Sequence, residues 1–299
     1  MILDGSRRLA AGELEAVFLP SRGMLGASLR HRGVELLRRI GDLDGAAIKG
    51  STAGIPLLHP WANRLGSAGY QAAGREVRLD LASPLLHLDD ARLPIHGVPW
   101  SRLPWDVVDA RSDRLVASLD WGRPEWLAVF PFPHRLEMVV SLVSATLEIA
   151  TTLTAGSDGS VPVSFGFHPY VGLSEVRRSE WRLELPGMRR LVLDERRLPT
   201  GAEEPFPGQN APLDDHVFDD GFALDGEVAT LAISGGGRRL AVELVEGYRY
   251  AQVYAPAGAD FVALEPMTAP ANALASGRGL IVVPPKERFR AVFRIRVES

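Results

Sequence analysis

The sequence predicts an all-β protein, built as a large β-sandwich. Gly (30 residues) and Pro (22 residues) are spread along the whole chain and separate short apolar runs, as is typical of strands joined by turns. Several runs alternate apolar with polar side chains, which is the pattern of a strand with one buried face. Long helical patterns are hard to find, so we expect few and short helices.

The predicted strands are the apolar or alternating runs between these turn residues. Alternation is clear at 289–297, where arginines are interleaved with apolar residues, although Val292 blurs it. A hairpin is predicted at 234–238, because three consecutive glycines there permit positive φ between two apolar runs. The predicted strands are residues 15–19, 77–81, 114–119, 136–143, 147–153, 181–185, 228–233, 239–245, 250–254, 261–264 and 289–297.

We expect the chain to form a single domain over residues 1–299. A length prior of about 150 residues per domain suggests two domains, but all-β sandwiches often run well beyond that length as one unit. No fixed-period repeat, low-complexity tract or Pro/Ser linker divides the sequence. The polar stretch 194–220 is rich in Pro and Gly and is interpreted as a long loop.

Composition and charge exclude several classes of function. The net charge of −4 is too small and of the wrong sign to attract nucleic acid or an anionic membrane, so we expect neither partner. The absence of cysteine excludes disulfides, thiolate catalysis and cysteine-ligated metals. The N-terminus lacks the apolar core of a signal peptide, and no run approaches about 18 apolar residues, which favours a cytoplasmic location. A monomer and a homodimer both remain open.

Two residues stand out as candidates for acid/base chemistry. Pro169 biases His168 towards an extended conformation and limits its mobility, which suits a pre-positioned imidazole, although a hydrogen-bonded core histidine is the alternative. Glu265 ends the apolar run 261–264, and apolar neighbours would make its carboxylate more basic through desolvation. A solvated glutamate at a strand end is the alternative there. Position alone decides neither case.

An ordered series of segments resembles the aldose 1-epimerase, or galactose mutarotase-like, family along nearly the whole chain. Single motifs such as His-Gly or Glu-Pro occur by chance in many proteins, but here their order and spacing both agree with the family. The matching segments are 16–20 with Gly23, Gly54-Ile-Pro56 with Pro60, Asn63-Arg64, Ile95-His96-Gly97 with Trp105, Phe167-His168-Pro169-Tyr170, 218–222, Val253-Tyr254, Glu265-Pro266-Met267-Thr268 and Asn272-Ala273.

The resemblance implies a β-sandwich of the supersandwich type, with an open cleft on one face of the sheets. It also implies a set of site residues, namely the general acid His168, the general base Glu265, and the sugar-binding residues Arg64, His96, Asp219, Asn63 and Tyr170. Nearby Asp214, Asp215 and Asp220 offer competing alignments for Asp219.

The implied reaction, exchange of the α and β anomers of a sugar, needs one base and one acid. The proton of the C1 hydroxyl is removed while the ring oxygen is protonated; the ring opens to an aldehyde, rotates about the C1–C2 bond and closes on the opposite face. A carboxylate with a pKa of about 4 to 5 is ionised at neutral pH, and a histidine near about 6.5 can be kept protonated by a nearby negative charge. Neither redox change nor a covalent intermediate is needed, so we expect no cofactor and no metal.

Two further groups of residues have a functional and a structural interpretation. Aromatic side chains near the motifs could stack on a pyranose, although most such residues lie in the core. These are Trp61, Trp100, Phe167 and Tyr170. The paired Arg189 and Arg190 could bind a phosphate, although paired arginines on an exposed turn are usually solvated.

The predicted function is therefore an isomerase that acts on a small sugar, an aldose 1-epimerase for a free aldohexose. A hexose-6-phosphate 1-epimerase is the nearest alternative and would need a cationic pocket; the Glu-Pro-Met-Thr segment resembles the free-aldose branch. A non-catalytic carbohydrate-binding protein would have no use for a matched acid and base. A glycoside hydrolase would use two carboxylates about 5 to 10 Å apart, such as Glu265 and Asp219, but leaves His168 unexplained.

Overall fold

The computed structural model describes residues 5–39, 41–42 and 52–299. About 53% of the structure is strand and 7% is helix, which confirms the predicted all-β fold. The two α-helices within the described residues are short, α1 (Pro124–Val129) and α2 (Ala273–Ser276). No described helix has the length and hydrophobicity needed to span a membrane.

The described strands are short to medium in length and follow one another through tight turns. In chain order they are β1 (Arg7–Ala11), β2 (Leu14–Leu19), β3 (Leu25–His31), β4 (Val34–Glu35), β5 (Leu57–Leu58), β6 (Gly69–Ala72), β7 (Arg75–Arg78), β8 (His87–Leu88), β9 (Pro94–Ile95), β10 (Asp106–Ala110), β11 (Arg114–Trp121), β12 (His134–Val143), β13 (Thr146–Ala155), β14 (Val161–Val163), β15 (Gly166–Phe167), β16 (Tyr170–Val171), β17 (Arg182–Leu185), β18 (Met188–Leu193), β19 (Pro199–Phe206), β20 (Gln209–Pro212), β21 (Phe218–Ala223), β22 (Ala229–Gly235), β23 (Arg238–Glu246), β24 (Tyr250–Ala255), β25 (Val262–Met267), β26 (Ile281–Val283) and β27 (Arg288–Glu298).

Two large antiparallel sheets form the sandwich. One has nine strands in the order β10-β11-β12-β13-β27-β23-β22-β17-β20, and the other has eight, in the order β19-β18-β21-β24-β25-β15-β5 with β16 also paired to β25. Apolar side chains from both sheets join one buried cluster that includes Leu9 at one end of the chain and Val297 at the other. Strand β25 is buried along its whole length, because one face packs on this core and the other lies beneath a polar cleft.

The predicted strands all overlap strands of the structure. The predicted hairpin is also confirmed, since Gly235 pairs with Arg238 across a two-residue turn. Its central residues, Gly236 and Gly237, have φ values of 58° and 77°, which is the left-handed pair that a type I′ turn requires.

The interpretation of residues 194–220 as a long loop was wrong. The segment contains β19 and β20 and the beginning of β21. Strands β19 and β20 each lie at the edge of a large sheet, where Pro and charged side chains are tolerated because one side of the strand needs no hydrogen-bonding partner. The composition that suggested a loop is therefore that of two sheet edges.

Candidate active site

The site is built on one face of the eight-stranded sheet. Gln252 on β24 lies directly opposite Glu265 on β25. On the next strand, β21, Asp219 lies directly opposite Tyr254. Because side chains alternate between the two faces of a strand, Glu265, Gln252 and Asp219 all project from the same face of three neighbouring strands.

The same alternation separates Asp219 from its nearest competitor. Asp220 is paired with the fully buried Val253, so its side chain is directed to the opposite face of the sheet. There its carboxylate lies 3.5 Å from Nε of Arg190. On the cleft side, Asp219 Oδ1 accepts a hydrogen bond of 2.8 Å from Gln252. The structure therefore directs Asp219, rather than Asp220, towards the cleft.

His168 occupies a gap between two short strands that both pair with β25. Gly166 of β15 pairs with Met267, and Tyr170 of β16 pairs with Ala263. This register places His168 opposite Glu265 across the sheet. His168 Nε2 lies 3.2 Å from Glu265 Oε1, and both side chains are buried. The sequence thus brings two residues almost a hundred positions apart into direct contact.

Tyr170 supports the imidazole from the side. Its ring stacks on that of His168, with centroids 4.2 Å apart and an interplanar angle of 16°. Its hydroxyl lies 3.3 Å from His168 Nε2 and also contacts the hydroxyl of Thr52. Burial raises the pKa of Tyr170, so the phenol stays neutral at neutral pH. The orientation of His168 is therefore fixed by a flat, uncharged neighbour.

Burial also controls the protonation of the acid/base pair. It raises the pKa of Glu265 well above the ordinary value, with a further contribution from Asp219 that Arg64 opposes. It lowers the pKa of His168, and the nearby His96 adds to this shift. The sequence led us to expect an ionised carboxylate beside a protonated imidazole, whereas burial penalises both charged forms. Both shifts favour the uncharged pair, in which the proton of the 3.2 Å contact lies on Glu265 rather than on His168.

Two buried atoms of the pair lack protein partners. Within the described part of the chain, Glu265 Oε2 and His168 Nδ1 form no hydrogen bond. A buried acceptor without a donor costs about 1 to 3 kcal/mol. An unpaired buried acceptor therefore indicates a hydrogen-bond partner outside the described protein groups. A ligand hydroxyl would satisfy Oε2.

The opposite wall of the cleft is formed by two loops that hydrogen-bond to each other. The backbone N–H of His96 donates to the carbonyl oxygen of Asn63 at 2.9 Å. The backbone N–H of Asn63 donates in return to His96 Nδ1 at 3.2 Å. Since Nδ1 is an acceptor, the neutral imidazole of His96 carries its proton on Nε2. Burial lowers the pKa of His96 to about 3, so the ring is a neutral hydrogen-bond donor at pH 7.

Arg64 is held by a carboxylate behind the cleft. Its Nε donates to Asp89 Oδ2 at 2.9 Å, and its Nη1 donates to Asn63 Oδ1 at 3.3 Å. Asn272 holds the backbone at residues 64–66. Its side-chain oxygen accepts a hydrogen bond from the N–H of Gly66, and its own backbone N–H donates to the carbonyl oxygen of Arg64. The remaining N–H groups of the guanidinium are thereby presented to the cleft.

These elements surround one open cavity of about 670 Å³. All seven residues expected at the site line it, whereas Asp214 and Asp215 do not. The lining residues are Asn63, Arg64, Asp90, Ile95, His96, His168, Tyr170, Arg197, Val217, Phe218, Asp219, Asp220, Gln252, Tyr254, Pro256 and Glu265. The structure thus brings the predicted set together, and the roles of its members stay predictions.

Of the four aromatic residues considered for stacking on a sugar, only Tyr170 lines the cavity. Trp61, Trp100 and Phe167 are core residues with 1 to 3% of their surface exposed. The possible phosphate contacts also lie elsewhere. Arg189 pairs with Asp225 and Glu203, and Arg190 with Asp220.

Sequence reasoning did not identify the other residues of this site, among them Gln252, Arg197 and the partner of Arg64, Asp89. Gln252 lies two positions before Tyr254 on the same strand face, so the alternation of β24 could have revealed it. Arg197 falls in the segment misread as a loop, and no local motif distinguishes Asp89. Among the described residues, no group of three or more His, Asp or Glu side chains is arranged to hold a metal ion.

At Gly97 the two loops of the opposite wall lie close together. Its φ is 67°, and a Cβ atom there would lie 2.3 Å from the carbonyl oxygen of His59. We expect Gly97→Ala to lower the free energy of unfolding by about 2 to 3 kcal/mol in urea titrations, through overpacking and left-handed strain. Gly74→Ala is the matched control, because Gly74 also has positive φ but no neighbour within 4 Å. Equal losses in the two variants would show that crowding at Gly97 is unimportant.

The fold is that of galactose mutarotase-like structures. The chain belongs to the aldose 1-epimerase family, whose model matches residues 25–296. It is 25% identical over 259 residues to the uncharacterised protein YihR of Escherichia coli K12, which covers 81% of this chain and 80% of YihR.

Solved structures extend the likeness of fold. A galactose mutarotase-like protein from Clostridium acetobutylicum superposes with a TM-score of 0.85 at 20% identity, covering 98% of this chain and 94% of that one. Galactose 1-epimerase from Lactobacillus acidophilus superposes with a TM-score of 0.75 at 16% identity, covering 97% and 92%. At these identities the structures establish the shared fold.

Proposed function

We propose that the protein is an aldose 1-epimerase that interconverts the α and β anomers of a free aldohexose. The observation that carries this proposal is the contact of 3.2 Å between His168 and Glu265, buried at the base of an open polar cleft. A sugar-binding protein without turnover has no use for a buried acid and base in contact. Membership of the aldose 1-epimerase family supports the same conclusion.

The reaction requires only proton transfers at two oxygen atoms. The step starts once the shared proton has passed from Glu265 to His168 across their contact. Glu265 then removes the proton of the C1 hydroxyl while His168 donates a proton to the ring oxygen, and the bond between C1 and the ring oxygen breaks. The open-chain aldehyde rotates about its C1–C2 bond. His168 then takes back the proton of the former ring hydroxyl as it attacks C1, and Glu265 protonates the new C1 oxygen. No atom is gained or lost, and both side chains return to their starting protonation.

The remaining polar groups of the cleft hold the sugar during ring opening. Arg64 and the Nε2–H of His96 donate hydrogen bonds, and Asp219 accepts them from hydroxyl groups. Asn63 holds the side chain of Arg64 and the ring of His96 in place. These contacts keep C1 over the acid/base pair while the aldehyde is free to rotate.

The charge of the cleft favours a free sugar over a sugar phosphate. The described residues that line it include two arginines, Arg64 and Arg197, against the carboxyl groups of Asp90, Asp219 and Glu265, since the side chain of Asp220 is directed to the other face of the sheet. Each arginine is already paired with a carboxylate, Arg64 with Asp89 and Arg197 with Asp219. A phosphate dianion would therefore find no unpaired cation among these described lining residues.

Anomer exchange measured by polarimetry and NMR on fresh glucose, galactose and their 6-phosphates tests the proposal. We expect the free sugars to be turned over with kcat/KM at least about 10-fold higher than their phosphates, the ratio that corresponds to about 1.4 kcal/mol. Faster turnover of a 6-phosphate would establish the hexose-6-phosphate epimerase instead, and sugar binding without exchange would establish a binding protein. The single domain over residues 1–299, the cytoplasmic location and the monomeric or homodimeric state stay predictions.

A further inference from the structure

The turn between β18 and β19 reaches across the mouth of the cleft. Within it, Asp194 Oδ1 accepts hydrogen bonds from the backbone N–H groups of Arg196 and Leu198, and Leu198 is buried. Arg196 donates to the carbonyl oxygen of Gly66, on the loop that carries Arg64. The turn is therefore fixed to the opposite wall, and the backbone of Arg197 is fixed with it.

Arg197 extends from this turn into the cavity and contacts Asp219. Its Nη1 donates to Asp219 Oδ2 at 2.7 Å, while Gln252 donates to Oδ1. A carboxylate has about four acceptor positions, so each oxygen of Asp219 keeps one for a ligand. Arg197 has five N–H donors and uses one of them among the described residues. The pair thus presents free acceptors and free donors side by side.

We propose that Arg197 is a specificity-determining residue that binds, together with Asp219, two adjacent hydroxyl groups of the sugar ring remote from C1. Each hydroxyl of such a pair donates one hydrogen bond to Asp219 and accepts one from Arg197. Glu265 lies on the far side of Gln252 from Asp219, so the pair and C1 occupy opposite ends of the ring. The assignment rests on the proposed function in taking C1 to lie over Glu265.

Stability alone is a poor explanation for this ion pair. The side chain of Arg197 is 55% exposed, and ion pairs between exposed groups contribute little to folding. The neighbouring acidic residue of the turn, Glu195, is exposed and outside the cavity. Of the residues in this turn, only Arg197 lines the cavity.

The test combines Arg197 variants with deoxy sugars. Anomer exchange and NMR titration are measured for glucose and its 2-, 3- and 4-deoxy analogues with the wild type, Arg197→Ala, Arg197→Lys and the control Glu195→Gln. We expect Arg197→Ala to raise KM and Kd for glucose about 10-fold or more, with a much smaller change in kcat. The fold-change in KM and Kd caused by Arg197→Ala should be smaller for the analogues that lack either hydroxyl of the bound pair than it is for glucose. Arg197→Lys retains the charge beside Asp219 but loses the planar fork, and should restore only part of the affinity.

The outcomes distinguish a failure of this assignment from a failure of the proposed function. If Arg197→Ala weakens all four sugars equally, or if Arg197→Lys restores full affinity and selectivity, Arg197 only positions Asp219 and the assignment is overturned. Unchanged affinities in Arg197→Ala overturn it as well. A wild-type protein that binds sugars without exchanging anomers contradicts the proposed function but still tests Arg197 through Kd. A protein that neither binds nor exchanges any of the sugars contradicts both.

Discussion

Glu265→Gln is expected to lower kcat for anomer exchange by about 10²- to 10⁴-fold, or roughly 3 to 5.5 kcal/mol of barrier. Gln keeps the size of Glu and much of its hydrogen bonding, but it cannot accept the proton of the C1 hydroxyl. Its amide can still contact His168, which lies 3.2 Å from the carboxylate in the wild type. Sugar affinity measured by NMR titration should therefore change little, while exchange measured by polarimetry is largely lost.

A double variant distinguishes a cooperating pair from two independent groups. An acid and a base that act on one ring opening work as a unit, so adding His168→Asn to Glu265→Gln should cost much less than the product of the two single effects. Near-normal turnover in Glu265→Gln would show that another carboxylate is the base. Asp219 is the first to examine, because it projects from the same sheet face.

Mild acid is expected to destabilise the protein through a buried pair of histidines behind the cleft. His134 donates from Nδ1 to the carbonyl oxygen of Phe132 at 2.6 Å, and its Nε2 lies 3.0 Å from His59 Nε2. If His134 Nδ1 is the donor to Phe132 and both rings are neutral, His134 Nε2 is the acceptor and His59 the donor between them. Burial lowers the pKa of His134 to about 4 and that of His59 well below its ordinary value.

The sign of the pH effect follows from proton uptake by the unfolded chain. Below about pH 6.5 both rings are protonated in the unfolded chain but stay neutral in the folded one, so acid favours unfolding. The contribution of the two neutral rings to stability is fully present above about pH 6.5 and is lost as the pH falls towards about 4. At pH 5 the loss is about 2 kcal/mol for each ring, or about 4 kcal/mol for the pair, a large share of a typical total stability.

His59→Gln isolates this effect from other titrating groups. The raised pKa of Glu265 acts in the opposite direction and the lowered pKa values of His96 and His168 act in the same one, so wild-type curves alone mix these contributions. Gln places an N–H near the position of His59 Nε2, and His59 Nδ1 has no partner to lose within the described residues. Urea unfolding at pH 7.5 and pH 5 should show a fall in stability that is about 2 kcal/mol smaller than in the wild type. Identical falls would mean that His59 is already protonated in the folded protein.

The sequence predicted the parts of the molecule that depend on neighbours along the chain. The strands follow from alternation and turn residues, and His168 and Glu265 each precede a proline. The structure extends the predicted strand 261–264 to Met267, so that Glu265 lies within β25 rather than at its end. Alternation along β24 places Gln252 on the same face as Tyr254, but its position beside Glu265 depends on the pairing of β24 with β25. Arg197 was missed because it lies in the turn between β18 and β19, which no local pattern encodes. Trp61 and Phe167 show a second limit of the sequence analysis. Both lie near the matching motifs, but the motifs do not show that these side chains face the core.

The antiparallel pairing of β21, β24 and β25 fixes the distance between the two ends of the cleft, one at Glu265 and the other at Asp219. Neighbouring strands lie about 4.8 Å apart, so β21 and β25 are separated by about 10 Å across β24, a distance maintained by main-chain hydrogen bonds. Substitutions or insertions in the surrounding loops leave this spacing unchanged. Such a scaffold allows the choice of sugar to diverge through the turn that carries Arg197 and the loops that carry Arg64 and His96, while the reach from the reacting carbon to the far hydroxyls stays constant.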